Sequence, residues 1–144
     1  MFSKTCTYAI RAMLFIARHA ETDNKLGIKE IAGGIDAPEH FIAKILQQLS
    51  KKGLVSSLKG PSGGFYLDKK TGKCTLADIV QAVDGDSLFT GCALGLSHCS
   101  EQYPCPLHHE FKKIRKEIHE ALKSTRLSEF NEELLQQFTY LKNR

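Results

Sequence analysis

The chain has 144 residues, of which 42% are hydrophobic and 25% are charged, and these are ordinary values for a single soluble globular unit. No apolar run approaches the roughly 20 residues that a membrane-spanning helix needs. The N-terminus also lacks the small-residue cleavage site of a signal peptide. Composition therefore argues against a membrane protein and predicts a cytoplasmic one.

Positive charge is concentrated in the first half of the chain. Residues 1–73 contain 12 Lys and Arg against 6 Asp and Glu, whereas residues 74–144 contain 8 against 10. A basic half joined to a slightly acidic half is typical of a protein in which one part meets a polyanion. Chance variation on a solvated surface would give similar counts, so this interpretation depends on the motifs that follow.

Three helices are predicted in the first 52 residues. The stretch from Tyr8 to His19 is rich in apolar residues without Gly or Pro, which predicts a largely buried helix. A third helix is expected from about Pro38 to Lys52, with Gly53 placed as its C-terminal cap. Between them, a short amphipathic helix is indicated by apolar residues at helical spacing, namely Ile28, Ile31, Ala32 and Ile35.

The apolar period then changes from that of a helix to that of strands. Residues 54–58 and 65–67 are short strand-like runs, and residues 59–64, Lys-Gly-Pro-Ser-Gly-Gly, are dense in turn formers. Two strands around such a loop predict a β-hairpin. Helix, helix and hairpin in this order are typical of a winged helix, in which the second helix enters the major groove of DNA and the hairpin contacts the backbone.

The exposed start of the third helix would carry the base-reading side chains, for which the candidates are Glu39, His40 and Lys44. Its end and the hairpin would contact phosphates, because lysines, hydroxyls and glycine N–H groups suit that role. The candidate phosphate contacts are Lys51, Ser56, Ser57, Lys59, Gly60, Ser62 and Gly63. The competing interpretation is a solvated helix face followed by an ordinary hairpin turn.

The second half of the chain divides into a short helix, an irregular segment and a long helix. Thr75 and Asp78 resemble a capping box that opens the short helix. Residues 85–106 show no periodicity and contain glycines, prolines and cysteines, and a loop of this length usually has a function or is disordered. A long helix from about Leu107 to Ser124 and an amphipathic segment from Leu127 to Leu141 follow. We therefore expect a winged-helix domain over residues 1–84, a cysteine loop over 85–106 and a helical region over 107–144.

Three of the five cysteines lie within that irregular segment, as Cys92-x6-Cys99-x5-Cys105. In a reducing compartment such cysteines are more often metal ligands or redox thiols than structural disulfides. Thiolates suit iron–sulfur clusters, zinc or copper(I), and a bendable loop can wrap around one inorganic centre. The fourth position would be filled by His108, by another side chain or by a residue of a partner subunit.

Other interpretations of the cysteines stay open at this point. The three thiols could be free in a loop, or they could form a zinc site or a thiol–disulfide switch. Cys6 and Cys74 lie in or beside predicted helices, where buried small hydrophobic residues are their default role. An enzyme is not indicated, because the sequence contains no P-loop, no HExxH and no nucleophile elbow.

Nearly the whole chain resembles the Rrf2 family of bacterial transcription regulators. The resemblance rests on Tyr-Ala-Ile-Arg-Ala at 8–12, Phe-x-x-Lys-Ile-Leu-x-x-Leu at 41–49, Lys-Gly-Pro-Ser-Gly-Gly-Phe at 59–65 and Asp-Ile-Val-x-Ala-Val-Asp-Gly at 78–85. The cysteine triplet matches the members of the family that bind iron–sulfur clusters. This resemblance implies a mainly helical winged-helix fold with a small hairpin, and a regulator whose DNA binding is gated by such a cluster.

The resemblance also implies a homodimer, with residues 107–144 as its dimerisation region, that binds a roughly palindromic double-stranded operator. The long helix would cross its partner copy through Phe111, Ile114, Ile118 and Leu122. Some members use a His three residues after the last Cys as fourth ligand, which is the position of His108. Others use an acidic residue of the partner's first helix, where this chain has Thr7 beside Cys6. We therefore expect a [2Fe–2S] core held by His108 and the three cysteines, with a [4Fe–4S] core or Cys6 of the partner as alternatives.

Overall fold

The computed structural model describes residues 1–20, 25–130 and 141–142. Its helices are α1 (Lys4–Arg18), α2 (Ile28–Ile35), α3 (Glu39–Lys51), α4 (Leu76–Asp84), α5 (Ser87–Thr90) and α6 (His108–Ser124). Two strands, β1 (Ser56–Leu58) and β2 (Gly64–Tyr66), form an antiparallel hairpin between α3 and α4. The prediction of a mainly helical winged-helix fold with a small hairpin is therefore confirmed.

Helix α1 is the centre of the fold and packs against α2, α3 and α4. It begins four residues before the predicted start at Tyr8, because Ser3 caps it: the Ser3 hydroxyl accepts a hydrogen bond from the Cys6 N–H at 3.0 Å. The backbone N–H of Ser3 in turn donates to Asp84 Oδ2 at 3.0 Å. The end of α4 thus holds the start of α1.

Helices α2 and α3 follow the predicted amphipathic pattern closely. Each buries one apolar stripe in the core that α1 also lines, and the buried residues of α3 are Ile42, Ile45, Leu46 and Leu49. Gly53 follows α3 with a φ of +75°, a left-handed conformation that glycine adopts without steric cost. This position confirms the predicted glycine at the end of the third helix.

The hairpin pairs Ser56 with Tyr66 and Leu58 with Gly64. Strand β1 therefore begins two residues later than predicted, and β2 lies one residue earlier than predicted. Residue 64 has to be glycine. Its φ is +150°, and an added Cβ would lie 2.6 Å from the carbonyl oxygen of Leu26. That close approach exists because Leu26 and Phe65 exchange two backbone hydrogen bonds of 2.9 and 2.8 Å, which attach the hairpin to the helical core.

Helix α4 begins with the predicted capping box, in which the Thr75 hydroxyl and the Asp78 carboxylate each accept from the other's backbone N–H. The end of α4 is attached to α3, because the Ala82 carbonyl accepts hydrogen bonds from Lys52 Nζ at 2.6 Å and Gln48 Nε2 at 3.1 Å. The α4 terminus, from which the cysteine segment departs, is therefore bonded to both α1 and α3.

The second half of the chain is less buried. The segment predicted to be irregular contains the short helix α5, which lacks the length to produce a recognisable period. Helix α6 packs against α4 and α5, yet His108 is its only fully buried residue. The chain then returns to the core, where Leu127 is fully buried and its N–H donates to the Cys74 carbonyl at 2.9 Å. The predicted amphipathic residues Leu134, Leu135 and Phe138 lie outside the described residues.

No helix in the described parts of the chain is long and apolar enough to cross a membrane. The division into domains at residues 84 and 106 stays a prediction.

Candidate DNA-binding face and cysteine site

A groove of about 410 Å³ lies between the second half of α3 and the hairpin. It gathers three of the predicted phosphate contacts, Lys51, Ser57 and Lys59, together with Gln47 and Ser50 of α3. The hydroxyls of Ser50 and Ser57 lie 3.3 Å apart, so each can orient the other. The fold thus brings cationic and hydroxyl groups from two elements to one surface, which suits a phosphate backbone.

The three predicted base-reading residues, Glu39, His40 and Lys44, are exposed on the first half of α3. The His40 ring lies 4.4 Å from the ring of its neighbour Phe41, which is 46% exposed. Helix α3 therefore presents polar and charged side chains, including Lys44 and Lys51, on the side opposite its buried stripe. This arrangement is the one a recognition helix needs, and the assignment of individual bases stays a prediction.

Some of the groups that were predicted to contact phosphate donate hydrogen bonds within the protein instead. The N–H of Gly63 donates to the Gly60 carbonyl at 3.0 Å, and the Ser56 hydroxyl donates to Asp68 Oδ2 at 2.9 Å. An added Cβ at residue 63 would lie 2.0 Å from the Leu58 carbonyl oxygen, so glycine is required there by packing. Lys59, Gly60 and Ser62 are exposed at the tip of the hairpin.

The three cysteines of the segment over residues 85–106 are free and half-buried. Cys99 Sγ is 3.3 Å from His108 Nδ1. Cys105 lies near enough to Cys92 for its side chain to help lower the pKa of the Cys92 thiol. Among the described residues, no three His, Cys, Asp or Glu side chains are close enough together to hold one metal ion. Cys99 and His108 are therefore in contact, whereas the ligand set of Cys92, Cys99, Cys105 and His108 stays a prediction.

Cys92 is placed to carry a thiolate. Backbone N–H groups of Leu94 and Leu96 lower the pKa of its thiol below the usual value, and the Cys105 side chain and the charge of Arg115 act in the same direction. Gly95 makes this loop possible, because its φ of +73° is left-handed and its N–H donates to the Cys92 carbonyl at 3.0 Å. The local backbone therefore favours a negatively charged sulfur.

His108 is 3% exposed, and its Nε2 is buried without a hydrogen-bond partner in the described structure. A buried imidazole nitrogen without a partner is costly, so such an atom calls for an explanation. Three sulfurs and one imidazole are a donor set that suits an iron–sulfur cluster. The orphaned nitrogen and the contact with Cys99 are therefore compatible with His108 as a ligand.

Sequence reasoning missed Arg115, whose Nη2 donates to Cys99 Sγ at 3.1 Å. The signal was present in the spacing, because Arg115 follows His108 by seven residues and so lies on the same side of α6. Sequence reasoning also missed Asp84. Its contact with Ser3 joins residues 81 positions apart, and no local pattern indicates such a contact.

The two remaining cysteines are buried, as predicted. Burial raises the pKa of Cys6 to about 12, with the neighbouring Asp84 carboxylate adding to the effect. Burial likewise raises the pKa of Cys74 to about 12. Both thiols are therefore protonated at neutral pH.

A helical core followed by a hairpin, with a basic groove between helix and hairpin, defines a winged-helix DNA-binding regulator. The chain belongs to the Rrf2 family, described as iron-dependent transcriptional regulators, which it matches over residues 2–133. It is thus a DNA-binding transcriptional regulator and not an enzyme.

Two sequence relatives illustrate the match. An HTH-type transcriptional regulator of Aquifex aeolicus is 34% identical over 131 residues, which cover 90% of each chain. The transcriptional regulator IscR of Xenorhabdus nematophila is 30% identical over 89% of this chain and 78% of its own length.

Solved structures support the fold. CymR, described as the global cysteine regulator of B. subtilis, superposes with a TM-score of 0.73 at 23% identity and covers 96% of this chain and 98% of its own. IscR of T. potens superposes with a TM-score of 0.69 at 23% identity, covering 96% and 92%.

Proposed function

We propose that this regulator binds an iron–sulfur cluster through Cys92, Cys99, Cys105 and His108, and that the state of the cluster controls its affinity for DNA. The observation that carries the proposal is the meeting of a half-buried thiol with a buried imidazole, Cys99 Sγ to His108 Nδ1 at 3.3 Å. Relatives named IscR and the iron-dependent description of the family support it. A cluster in that position would supply sensitivity to oxidation, to nitric oxide or to iron–sulfur supply.

The pairing of the ligands favours a [2Fe–2S] core. Each iron of such a core takes two protein ligands, as in clusters where two histidines replace two cysteines on one iron. The contact of Cys99 with His108, and the effect of the Cys105 side chain on the pKa of Cys92, group the four residues two and two, which matches that requirement better than it matches a single ion. A [4Fe–4S] core would use the same four residues one to each iron and is the alternative to test.

The operator-binding form is a homodimer in this proposal. Helix α6 carries an apolar stripe that the rest of the described chain leaves open, in which Phe111 is 37% and Ile114 is 44% exposed. Ile118 and Leu122 continue the stripe and are half-buried. An apolar stripe of this length on one helix suits pairing with a second copy about a two-fold axis, which matches a roughly palindromic double-stranded operator.

A continuous set of contacts leads from the cysteine segment to the DNA-binding helix. The segment departs from the end of α4, where Ala82 accepts hydrogen bonds from Gln48 and Lys52 of α3. A cluster that orders the segment in only one DNA-binding state would shift the equilibrium between states by its differential affinity. The end of α4 is therefore the element through which α3 would respond.

The test is to reconstitute the purified protein without oxygen and to measure iron, acid-labile sulfide and the visible spectrum. We expect two irons and two sulfides per chain, and a changed affinity for promoter DNA when the cluster is removed. A colourless, iron-free product after reconstitution would contradict the cluster. Equal DNA affinity with and without iron would contradict gating while leaving DNA binding intact.

A thiol–disulfide switch at the same cysteines is the second candidate. It is favoured by the lowered pKa of Cys92, to which the Cys105 side chain contributes, because a thiolate beside a second thiol is the reactive form. CymR, one of the structural relatives, is described as a cysteine regulator, and CymR of Staphylococcus aureus has also been solved in an oxidized form. The DNA affinity of iron-free protein before and after peroxide treatment separates the two, since only the switch predicts that a disulfide, seen as the loss of two hydrogens in mass spectrometry, changes the affinity. Zinc in elemental analysis would identify a zinc site instead.

A further inference from the structure

Arg115 lines two cavities, each of which also contains a proposed ligand sulfur. Its side chain lines a cavity of about 350 Å³ with Cys99 and His108, and it also lines a second cavity of about 380 Å³ with Cys92. Its Nη2 donates a hydrogen bond to Cys99 Sγ at 3.1 Å. One guanidinium group is thus directed at a proposed ligand sulfur and is close to another.

We propose that Arg115 is a positioning residue that holds Cys99 for the cluster and raises the reduction potential of the bound centre. The inference rests on the proposed function, because it assigns a role toward the group that Cys99 would bind. A hydrogen bond to a ligand sulfur, together with a nearby positive charge, stabilises the reduced and more negative form of an iron–sulfur centre.

The neighbouring cations of α6 are placed differently. Lys112 is paired with Glu101, and Lys116 lies 3.9 Å from Glu120 with its side chain 77% exposed. Arg115 is half-buried, and within the described residues it has no carboxylate at salt-bridge distance. Its charge is therefore directed at sulfur, whereas theirs are partly neutralised and open to solvent.

A rigid planar guanidinium is also suited to this task. It presents several N–H donors in a fixed arrangement and stays charged at any physiological pH, so its hydrogen bond does not depend on titration. Lysine at this position would keep the charge, but its single ammonium group could not reproduce the same donor geometry. The two properties, charge and directed hydrogen bond, can therefore be separated by substitution.

The experiment compares wild type with Arg115→Gln, Arg115→Lys and the matched control Lys116→Gln, which removes one charge from the same cavity without contact to sulfur. Each protein is reconstituted without oxygen, iron and sulfide are counted, and the midpoint potential is measured by equilibration with redox dyes. For Arg115→Gln we expect the equilibrium constant of one-electron reduction to fall about tenfold, which is 59 mV. The midpoint potential of Arg115→Lys should lie between those of wild type and Arg115→Gln, and that of Lys116→Gln should equal the wild-type value.

The outcomes separate the two proposals. Wild-type protein that takes up no iron contradicts the proposed function. Wild-type protein with iron, and an unchanged potential in Arg115→Gln, contradicts the role of Arg115 alone. Equal shifts of the midpoint potential in Arg115→Gln and Lys116→Gln would mean that the loss of positive charge alone causes the effect, and they would contradict the role of the hydrogen bond. If Arg115→Gln holds no iron although its helical circular dichroism is normal, Arg115→Lys decides: a lowered potential supports the role and an unchanged one overturns it.

Discussion

The winged-helix half and the cysteine segment are built on different principles. From α1 to α4 the chain has a continuous apolar core, and large side chains such as Met13, Ile31 and Leu46 are fully buried in it. Between residues 85 and 107 no described side chain is fully buried. Hydrophobic burial therefore fixes the DNA-binding half by itself, whereas the cysteine segment depends on sulfur contacts, turns and the ligand that we propose.

This difference suits a sensor. A segment with little buried apolar surface changes its order at small free-energy cost, and elements that respond to ligands come from the least stable parts of a protein. A rigid core beside it can transmit that change, because α4 is bonded to α1 through Asp84 and to α3 through Ala82. The following predictions test how far the two regions are independent, from the largest expected effect to the smallest.

The strongest test of the hydrophobic half is Leu46→Ala. Leu46 is fully buried in α3, so the substitution should lower the free energy of unfolding by about 2–5 kcal/mol through lost burial and the cavity left behind. The matched control is Leu94→Ala in the cysteine segment, where Leu94 is 51% exposed and the change should stay within about 0.5 kcal/mol. Urea unfolding followed by circular dichroism measures both. Similar losses in the two variants would show that the regions share one core.

The cysteine segment is tested by Cys99→Ala. Because Cys99 contacts both His108 and Arg115, its loss should abolish iron binding and the visible absorption of the reconstituted protein. The midpoint of urea unfolding of the iron-free protein should be nearly unchanged. Cys74→Ser is the control, since this buried thiol lies outside the segment: it should lower stability and leave the iron content at the wild-type level. Full iron content in Cys99→Ala would remove this residue from the ligand set.

DNA binding is tested within the basic groove. Lys59→Ala should weaken binding to cognate and random DNA by a similar factor. The slope of the logarithm of the binding constant against the logarithm of the salt concentration should become shallower by about one, as expected for one lost phosphate contact. His40→Ala, on the exposed start of α3, should instead change the ranking of operator variants. Fluorescence anisotropy over a range of salt concentrations measures both quantities. If both variants weaken cognate and random DNA equally, His40 does not read bases.

The helical half was largely predictable because its signals are local. Apolar residues at helical spacing in α2 and α3, the glycine at 53 and the capping box of Thr75 and Asp78 all stand where the structure has them. The start of α1 was missed because it depends on a tertiary partner, Asp84, as well as on the cap of Ser3. Local sequence patterns therefore predict the middle of a helix better than they predict a helix end that is stabilised by another element.

For the cysteine site, the sequence predicts a set of candidate ligands but not their arrangement. Sulfur spacing identifies candidate ligands, and a loop without periodicity offers no rule for which of them meet. The pairing of Cys99 with His108, and the donation from Arg115, follow from how α6 packs beside the loop. Short α5 was missed for a related reason, because four residues are too few to show a period.

The smallest effect that we predict concerns Asp68, which joins the hairpin to the segment that leads to α4. Its Oδ1 accepts from the backbone N–H groups of Lys70 and Thr71 at 2.9 and 2.8 Å, and its Oδ2 accepts from Ser56. These hydrogen bonds lower the pKa of Asp68 from 3.8 to about 2, and the bond from the Thr71 backbone N–H contributes most. The carboxylate therefore stabilises the fold above pH 4, and this contribution is lost as the pH falls toward 2.

Asp68→Asn should remove that dependence. The amide cannot accept all of these bonds, so the variant should be less stable than wild type at pH 7 by about 0.5 kcal/mol, a small value because the group is exposed. Below pH 4 the difference should shrink, because wild-type Asp68 becomes protonated as well. Asp86→Asn, which changes an exposed carboxylate of the cysteine segment, is the matched control and should leave the urea midpoint at pH 7 nearly unchanged. Urea midpoints of the three proteins between pH 2 and 7 measure this, and a constant difference at all pH values would mean that Asp68 acts by packing rather than by charge.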